Sequence, residues 1–132
     1  MEKLQQTMKI AVIAHDGKKA EMVAFLNRHM DFLTSMGLEI VATGTTGKHA
    51  QDAGLKVERL LSGPLGGDAQ IAALVAEHKV SLVIFFRDPL GKHPHEPDVQ
   101  MLMRVCDVHN VAIATNPAAA ELMLKGFALF QG

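Results

Sequence analysis

Ser62-Gly63-Pro64-Leu65-Gly66-Gly67-Asp68 joins a strand-like run, Val57 to Leu61, to a helix-like run, Asp68 to His78. Three glycines and a proline in seven residues make a tight turn of bare backbone, where N–H groups can approach a ligand closely. The turn delivers one carboxylate, Asp68, to the first turn of the helix. There it either caps the helix and answers its dipole, or works on a ligand held by the turn. A strand, a glycine-rich turn and a helix make up the unit from which parallel α/β sheets are built.

The same unit recurs in both directions. Toward the C-terminus, Ile71, Leu74, Val75 and His78 stand at helical spacing, and Ser81 to Phe86 (SLVIFF) is the clearest buried strand. A long loop, Arg87 to Asp98, leads to a helix marked by Val99, Leu102, Met103 and Cys106, with Pro97 near its first turn. Val111 to Ala114 is a strand, Thr115-Asn116 its turn and Pro117 to Lys125 a helix; Phe127 to Phe130 reads as a sixth, edge strand. Toward the N-terminus, Leu38 to Ala42 is a strand, Thr43 to Gly47 a turn, and Lys48 to Asp52 a short helix closed by Gly54. Lys9 to Ala14 (KIAVIA) is a β-branched buried strand broken by His15-Asp16-Gly17. A helix then runs to Met36, with Met22, Leu26, Met30 and Leu33 inward and Gly37 as its stop. The expected fold is α/β: a single three-layer α/β/α domain over residues 1–132 with a five-stranded, mostly parallel, Rossmann-like sheet.

Composition narrows the function. The chain has 132 residues, 48% hydrophobic and 20% charged, which suits one domain with a real core. A net charge of -1 announces no basic face for nucleic acid. One cysteine, Cys106, allows no internal disulfide and suits a reducing cytoplasm; periodicity turns it toward the core as a small apolar residue. No apolar run reaches the roughly 18 residues of a membrane span, and Met1 to Met8 is too polar for a signal peptide.

Open α/β sheets bind ligands beyond the carboxyl ends of their strands. Nearly every polar or glycine-rich stretch falls at that edge: His15-Asp16, Thr43 to Gly47, Ser62 to Asp68, Asp88 to Asp98 and Thr115-Asn116. The opposite turns, at Gly37, Gly54, Lys79 and Asn110, are short and chemically plain. Thr43-Gly44-Thr45-Thr46-Gly47-Lys48 resembles a phosphate cradle, with glycine N–H groups, threonine hydroxyls and a helix N-terminus converging. Its spacing is neither a Walker A loop nor a dinucleotide fingerprint, and a threonine-capped turn is the plain alternative. Lys18 and Lys19 open a helix, where a ligand phosphate would offset their repulsion by the dipole; two surface lysines are the other reading. His93-Pro94-His95-Glu96-Pro97-Asp98 has no recognised metal spacing and suits acid–base work, or simply a solvated loop with a capping Asp98. Asp88, at the end of the best-buried strand, should be hydrogen-bonded and could hold a histidine or a catalytic carboxylate. His29, His49, His78 and His109 read as surface or helix positions without partners.

These stretches together resemble the methylglyoxal synthase family. AHDGKK (14–19), ATGTTG (42–47), LSGPLGGD (61–68), VIFFRDPL (83–90), HPHEPDV (93–99) and IATN (113–116) occur in order and at the expected spacing, over residues 9 to about 125. The resemblance implies conversion of dihydroxyacetone phosphate to methylglyoxal and inorganic phosphate. It implies no metal or organic cofactor, and a cytoplasmic homohexamer sensitive to phosphate. Position by position, Asp68 resembles the family's base and His95 the histidine that handles the protons of the substrate oxygens. Asp98 and Asp88 resemble the supporting acids. His15, Lys19, Thr43, Gly44, Thr45, Thr46, Ser62 and Gly63 resemble the substrate and phosphate contacts. One departure stands out. Family members commonly carry an arginine in a C-terminal tail, whereas this sequence has none after Arg104. Weak phosphate cooperativity is the expectation.

Two rival readings stand beside this one, the first of them a domain of the same fold. A regulatory effector-binding domain needs the cradle but has no use for Asp68, His95 and Asp98 together. A triose phosphate isomerase-like activity would reprotonate the enediolate instead of expelling phosphate. Phosphate release from dihydroxyacetone phosphate without added metal is the discriminating assay, since neither rival expels phosphate.

Overall fold

A computed structural model of the chain describes residues 8–91 and 99–131. Its strands are β1 (Lys9–Ala14), β2 (Glu39–Ala42), β3 (Glu58–Arg59), β4 (Leu82–Phe86) and β5 (Ala112–Ala114). Its helices are α1 (Lys19–Ser35), α2 (Gly44–Asp52), α3 (Gly67–Ala76), α4 (Val99–His109) and α5 (Pro117–Gln131), with short 3-10 turns at Asp16–Lys18 and Gly63–Leu65. The five strands form one sheet in the order β3-β2-β1-β4-β5, and every pairing is parallel.

The sheet is covered on both faces, so the central strands are apolar at every position. Ile10, Val12 and Ala14 of β1 pack with Met22, Phe25, Leu26 and Leu33 of α1, Ala50 of α2 and Ala120 and Leu124 of α5. Ala11 and Ile13 turn the other way, toward Ile71 and Val75 of α3 and Leu102 and Cys106 of α4. The expected three layers are present. Order reverses between β1 and β4, since successive strands leave β1 first to one side and then to the other. A crevice is expected at the carboxyl ends beside such a reversal.

Three boundaries differ from the sequence reading. The run Phe127 to Phe130 is not a sixth strand but the last turns of α5. Ala120, Leu124 and Phe127 recur at helical spacing against the core, and this packing outweighs the helix penalty of Gly126, about 1 kcal/mol. Thr43 to Gly47 is not a free turn; Thr43 is the N-cap and Gly44 to Gly47 are the first turn of α2. The third strand shrinks to Glu58–Arg59, both exposed at the sheet edge.

Candidate active site

A cavity of about 400 Å³ opens at the carboxyl ends of β1, β2 and β3. Ile13, Ala14, His15, Asp16 and Lys19 form one wall, and Thr43, Thr45, Ser62, Gly63 and Pro64 the other. Of the stretches read from the strand ends, His15-Asp16 and parts of Thr43–Gly47 and Ser62–Asp68 border this cavity, whereas Asp88 does not line it and Thr115-Asn116 border another hollow. Two larger hollows lie elsewhere, one at the opposite sheet edge beside Met30 and Lys56 and one along the outer side of α4, and neither gathers the candidate residues.

Two glycines let the walls meet. A Cβ on Gly44 would stand 2.9 Å from the Ser62 nitrogen, and Gly44 N–H instead donates to Leu61 O at 3.0 Å. A Cβ on Gly67 would lie 1.9 Å from Leu61 O, so only glycine lets α3 start this close to β3. Ser62 O accepts from both Leu65 N–H (3.0 Å) and Gly67 N–H (2.9 Å), which curls the Ser62–Gly66 turn back on itself. The cradle is thus two chain turns locked together, with the N-terminus of α2 behind it.

Lys19 is 8% exposed, against the open alternative of a surface lysine. Its Nζ donates to Ala14 O and to Asp16 Oδ1, both at 2.9 Å, so the buried charge is answered by a carbonyl and a carboxylate. Asp16, read from the sequence with His15 as a residue at the ligand edge, lines the cavity, and its i, i+3 spacing to Lys19 sets up their ion pair. Lys18 instead pairs with Glu21 at 3.4 Å.

Thr43 and Thr45 line the cavity, whereas Thr46 is 1% exposed and faces inward. Thr46 Oγ1 accepts from Ala14 N–H at 3.2 Å and lies 3.5 Å from Thr43 Oγ1, tying the end of β1 to α2. The threonine N-cap makes no side-chain bond to a backbone N–H; Thr43 Oγ1 instead donates a long hydrogen bond to Thr46 Oγ1.

His15 is 4% exposed and meets the Phe85 ring edge-on, with centroids 5.2 Å apart. Its Nδ1 accepts a 2.9 Å hydrogen bond from Asp88 N–H, across the β1–β4 reversal. Asp88 is half-buried, and its Oδ1 accepts from Leu90 N–H at 3.2 Å. Asp68 is half-buried in the first turn of α3, with Oδ1 accepting from Ala69 N–H at 3.1 Å. It does not itself line the cavity formed by the described residues. His95 and Asp98 lie outside the described residues, as does the rest of the His93 to Asp98 stretch. Among the described residues, no three His, Cys, Asp or Glu side chains group closely enough to hold a metal.

Away from the cavity, three histidines read as partnerless do have neighbours. His29 pairs with Glu121 and lies on Phe25, joining α1 to α5. His78 and His109 pack edge to face with centroids 5.6 Å apart. Cys106 is fully buried as expected, and burial, with Asp107 beside it, pushes its thiol up to about 11.

Residues 25–115 match the family described as MGS-like domain. The methylglyoxal synthase of Carboxydothermus hydrogenoformans is 58% identical over 119 residues, covering 89% of this chain and 97% of that protein. That of Thermus thermophilus is 62% identical over 116 residues, covering 87% and 90%. A crystal structure of methylglyoxal synthase from Elizabethkingia anophelis superposes with a TM-score of 0.84 at 40% identity, covering 92% of this chain and 79% of that one. ForH, at 18% identity and a TM-score of 0.59, shares the fold.

Proposed function

The chain belongs to the methylglyoxal synthase family, and from that premise we propose that the cavity at the carboxyl ends of β1, β2 and β3 is where its reaction takes place. The reaction is the family's: the enzyme is a carbon–oxygen lyase that converts dihydroxyacetone phosphate to methylglyoxal and inorganic phosphate. A regulatory effector domain is not favoured, because the relatives that align over 90–97% of their own length are the enzymes themselves.

One observation supports the placement above the others. The N-terminus of α2, the hydroxyl-bearing Thr43 and Thr45, the Ser62-Gly63 backbone and the buried Lys19 all border one cavity sized for a small monoester. Backbone N–H groups, a helix dipole and one ammonium suit a phosphate dianion. With phosphate there, the three-carbon chain points toward His15 on one side and the Ser62 to Asp68 turn on the other.

The chemistry then needs three acts. Asp68 takes a proton from the hydroxymethyl carbon, which is acidified by the adjacent carbonyl. The electron pair forms a carbon–carbon double bond and charge collects on oxygen as an enediolate, which hydrogen-bond donors stabilise. The hydroxyl on the former hydroxymethyl carbon loses its proton and becomes an aldehyde. The double bond moves along the chain and the carbon–oxygen bond to phosphate breaks. The enol left behind takes a proton on its terminal carbon, gives up its hydroxyl proton and becomes methylglyoxal. Atoms balance with no oxidant, metal or cofactor. His95 and Asp98, by the family resemblance, complete the proton handling. Resemblance also supports a cytoplasmic homohexamer, a single folding unit over residues 1–132, and phosphate as both product and allosteric inhibitor.

The deciding measurement is phosphate release from dihydroxyacetone phosphate by protein stripped with a chelator. Full release, with methylglyoxal in equal amount, supports the proposal. Isomerisation to glyceraldehyde phosphate without release, or activity restored only by a divalent ion, sinks it.

A further inference from the structure

A glutamine on α3 closes the turn that carries Asp68. β3 is an edge strand, and its pairing with β2 ends where Leu60 N–H donates to Ala42 O at 2.7 Å. Leu61 N–H lies past that last bond, at a sheet edge with no further strand to meet it. Gln70 Oε1 accepts it instead, at 2.8 Å. An amide N–H can only donate, so the oxygen of the glutamine faces Leu61 and its NH₂ points away.

Gln70 stands near the start of α3, two residues after Asp68, and its own N–H donates to Gly66 O at 3.0 Å. The stretch from Leu61 to Gln70 is therefore a clasp with both ends tied, and Asp68 lies inside it. Leu61 serves two neighbours at once. Its N–H is taken by α3 through Gln70, and its O accepts Gly44 N–H from the head of α2 at 3.0 Å. One residue thus registers the start of α3 against the turn that borders the cavity. The cavity's other donors are fastened independently: Lys19 Nζ to Ala14 O, and Thr43 N–H to Val12 O at 3.4 Å.

We infer that Gln70 is a positioning residue: by fastening Leu61 to α3 it sets the Asp68 carboxylate at a fixed place beside the phosphate cradle. This deepens the proposed function and rests on it for the role of Asp68. A base must come within hydrogen-bond reach of the proton it takes, and a misplacement of about 1 Å can cost about 100-fold in rate. Gln70 is exposed and does not border the cavity, so its effect on turnover runs through the clasp.

The test joins amide hydrogen exchange, read by NMR, to steady-state kinetics on the full chain. In the free wild-type protein Leu61 N–H should exchange slowly. Gln70→Met keeps the side-chain length and the helix preference but removes the oxygen. Leu61 N–H should then exchange about tenfold faster. The kcat should fall about tenfold, and exchange of substrate hydrogen with deuterated water should fall with it. KM and the inhibition constant of inorganic phosphate should stay within about twofold, because the lost placement concerns the base and not the cradle. Gln70→Glu keeps an oxygen for Leu61 N–H. At the plateau of its own pH profile it should regain slow exchange and most of the turnover. Fast exchange of Leu61 N–H in the wild-type protein overturns the inference. So does a Gln70→Met variant with wild-type kcat, or one whose phosphate affinity falls in step with kcat, which is general loosening. A Gln70→Glu variant that protects Leu61 N–H yet stays as slow as Gln70→Met overturns it as well. Wild-type protein that releases no phosphate from dihydroxyacetone phosphate sinks the proposed reaction instead, and Leu61 exchange still reports whether the clasp forms.

Discussion

A buried cation must have its charge answered, and the oxygens that answer Lys19 are also what aim it. Ala14 O, at the end of β1, and Asp16 Oδ1 hold Nζ at the cavity wall, where it can add a third contact to an incoming phosphate. Asp68 is different in kind. It occupies a position where an acid commonly settles a helix N-terminus, and its Oδ1 already accepts from Ala69 N–H. Substituting Asp68→Asn separates a cap from a base, because asparagine caps helices about as well as aspartate but accepts no proton. We expect the variant to fold and bind phosphate while turnover falls about 10²–10⁴-fold, the loss lying in kcat. Exchange of substrate hydrogen with deuterated water should fall in parallel, since enediolate formation precedes phosphate departure. Near-normal exchange in Asp68→Asn together with its abolition in Asp98→Asn would move the base to the His93 to Asp98 stretch.

The elements are terminated by one device and started by several. At Gly37, Gly54, His78 and Asn110 the chain turns left-handed after a helix, with φ of 71°, 88°, 58° and 57°. At each, the following N–H reaches five residues back, as Leu38 N–H does to Leu33 O and Val111 N–H to Cys106 O. These turns do nothing but close helices, which is why the sequence there is chemically plain. The helix starts carry the chemistry and the tight packing. Gly67→Ala should push α3 off Leu61 O and cost roughly 1–3 kcal/mol, as overpacking does. Urea unfolding would measure it, and unchanged stability would mean the turn yields easily. Activity should fall as well, because Asp68 is the next residue. The strands β1 and β4 were legible because burial on both faces leaves long β-branched runs. The edge strand β3 was overread: Val57 and Leu60 are apolar because they pack against the core, while the ladder to β2 is confined to Glu58–Arg59 and one further bond from Leu60 N–H to Ala42 O. The start of α2 was missed because glycine and threonine are poor helix formers, and tertiary contacts to Leu61 O and Ala14 N–H outweigh that preference. The apolar stretch after Lys125 was misread because a short apolar run fits strand or helix until its packing is known. Within the site, the cavity residues from His15 to Gly63 could be read from the strand ends, but the hydrogen bond from Asp88 N–H to His15 Nδ1 could not, because its partners stand 73 residues apart.

On the scale of the molecule, the sheet sorts its turns by job. All strands are parallel, so all helix-to-strand turns lie at one edge and all strand-to-helix turns at the other. In the proposed reaction function gathers at the second edge, at the ends of β1, β2 and β3, so stability should be alterable at the first with little consequence for the chemistry. Phosphate is a part of the substrate and also a product, and both need the same donors at the head of α2. Inorganic phosphate should therefore compete with dihydroxyacetone phosphate: the apparent KM should rise with phosphate concentration while kcat at saturating substrate stays constant. Thr45→Val should weaken this competition and substrate binding together, since the hydroxyl borders the cavity. If the protein is a hexamer, light scattering should give six times the chain mass of 14.3 kDa. Communication between its sites would then show as a substrate curve that turns sigmoidal in phosphate, because linkage requires each site's affinity to depend on the others. We expect simple competition to dominate. Inhibition that lowers kcat without changing KM would place the inhibitory phosphate elsewhere and detach it from the α2 cradle.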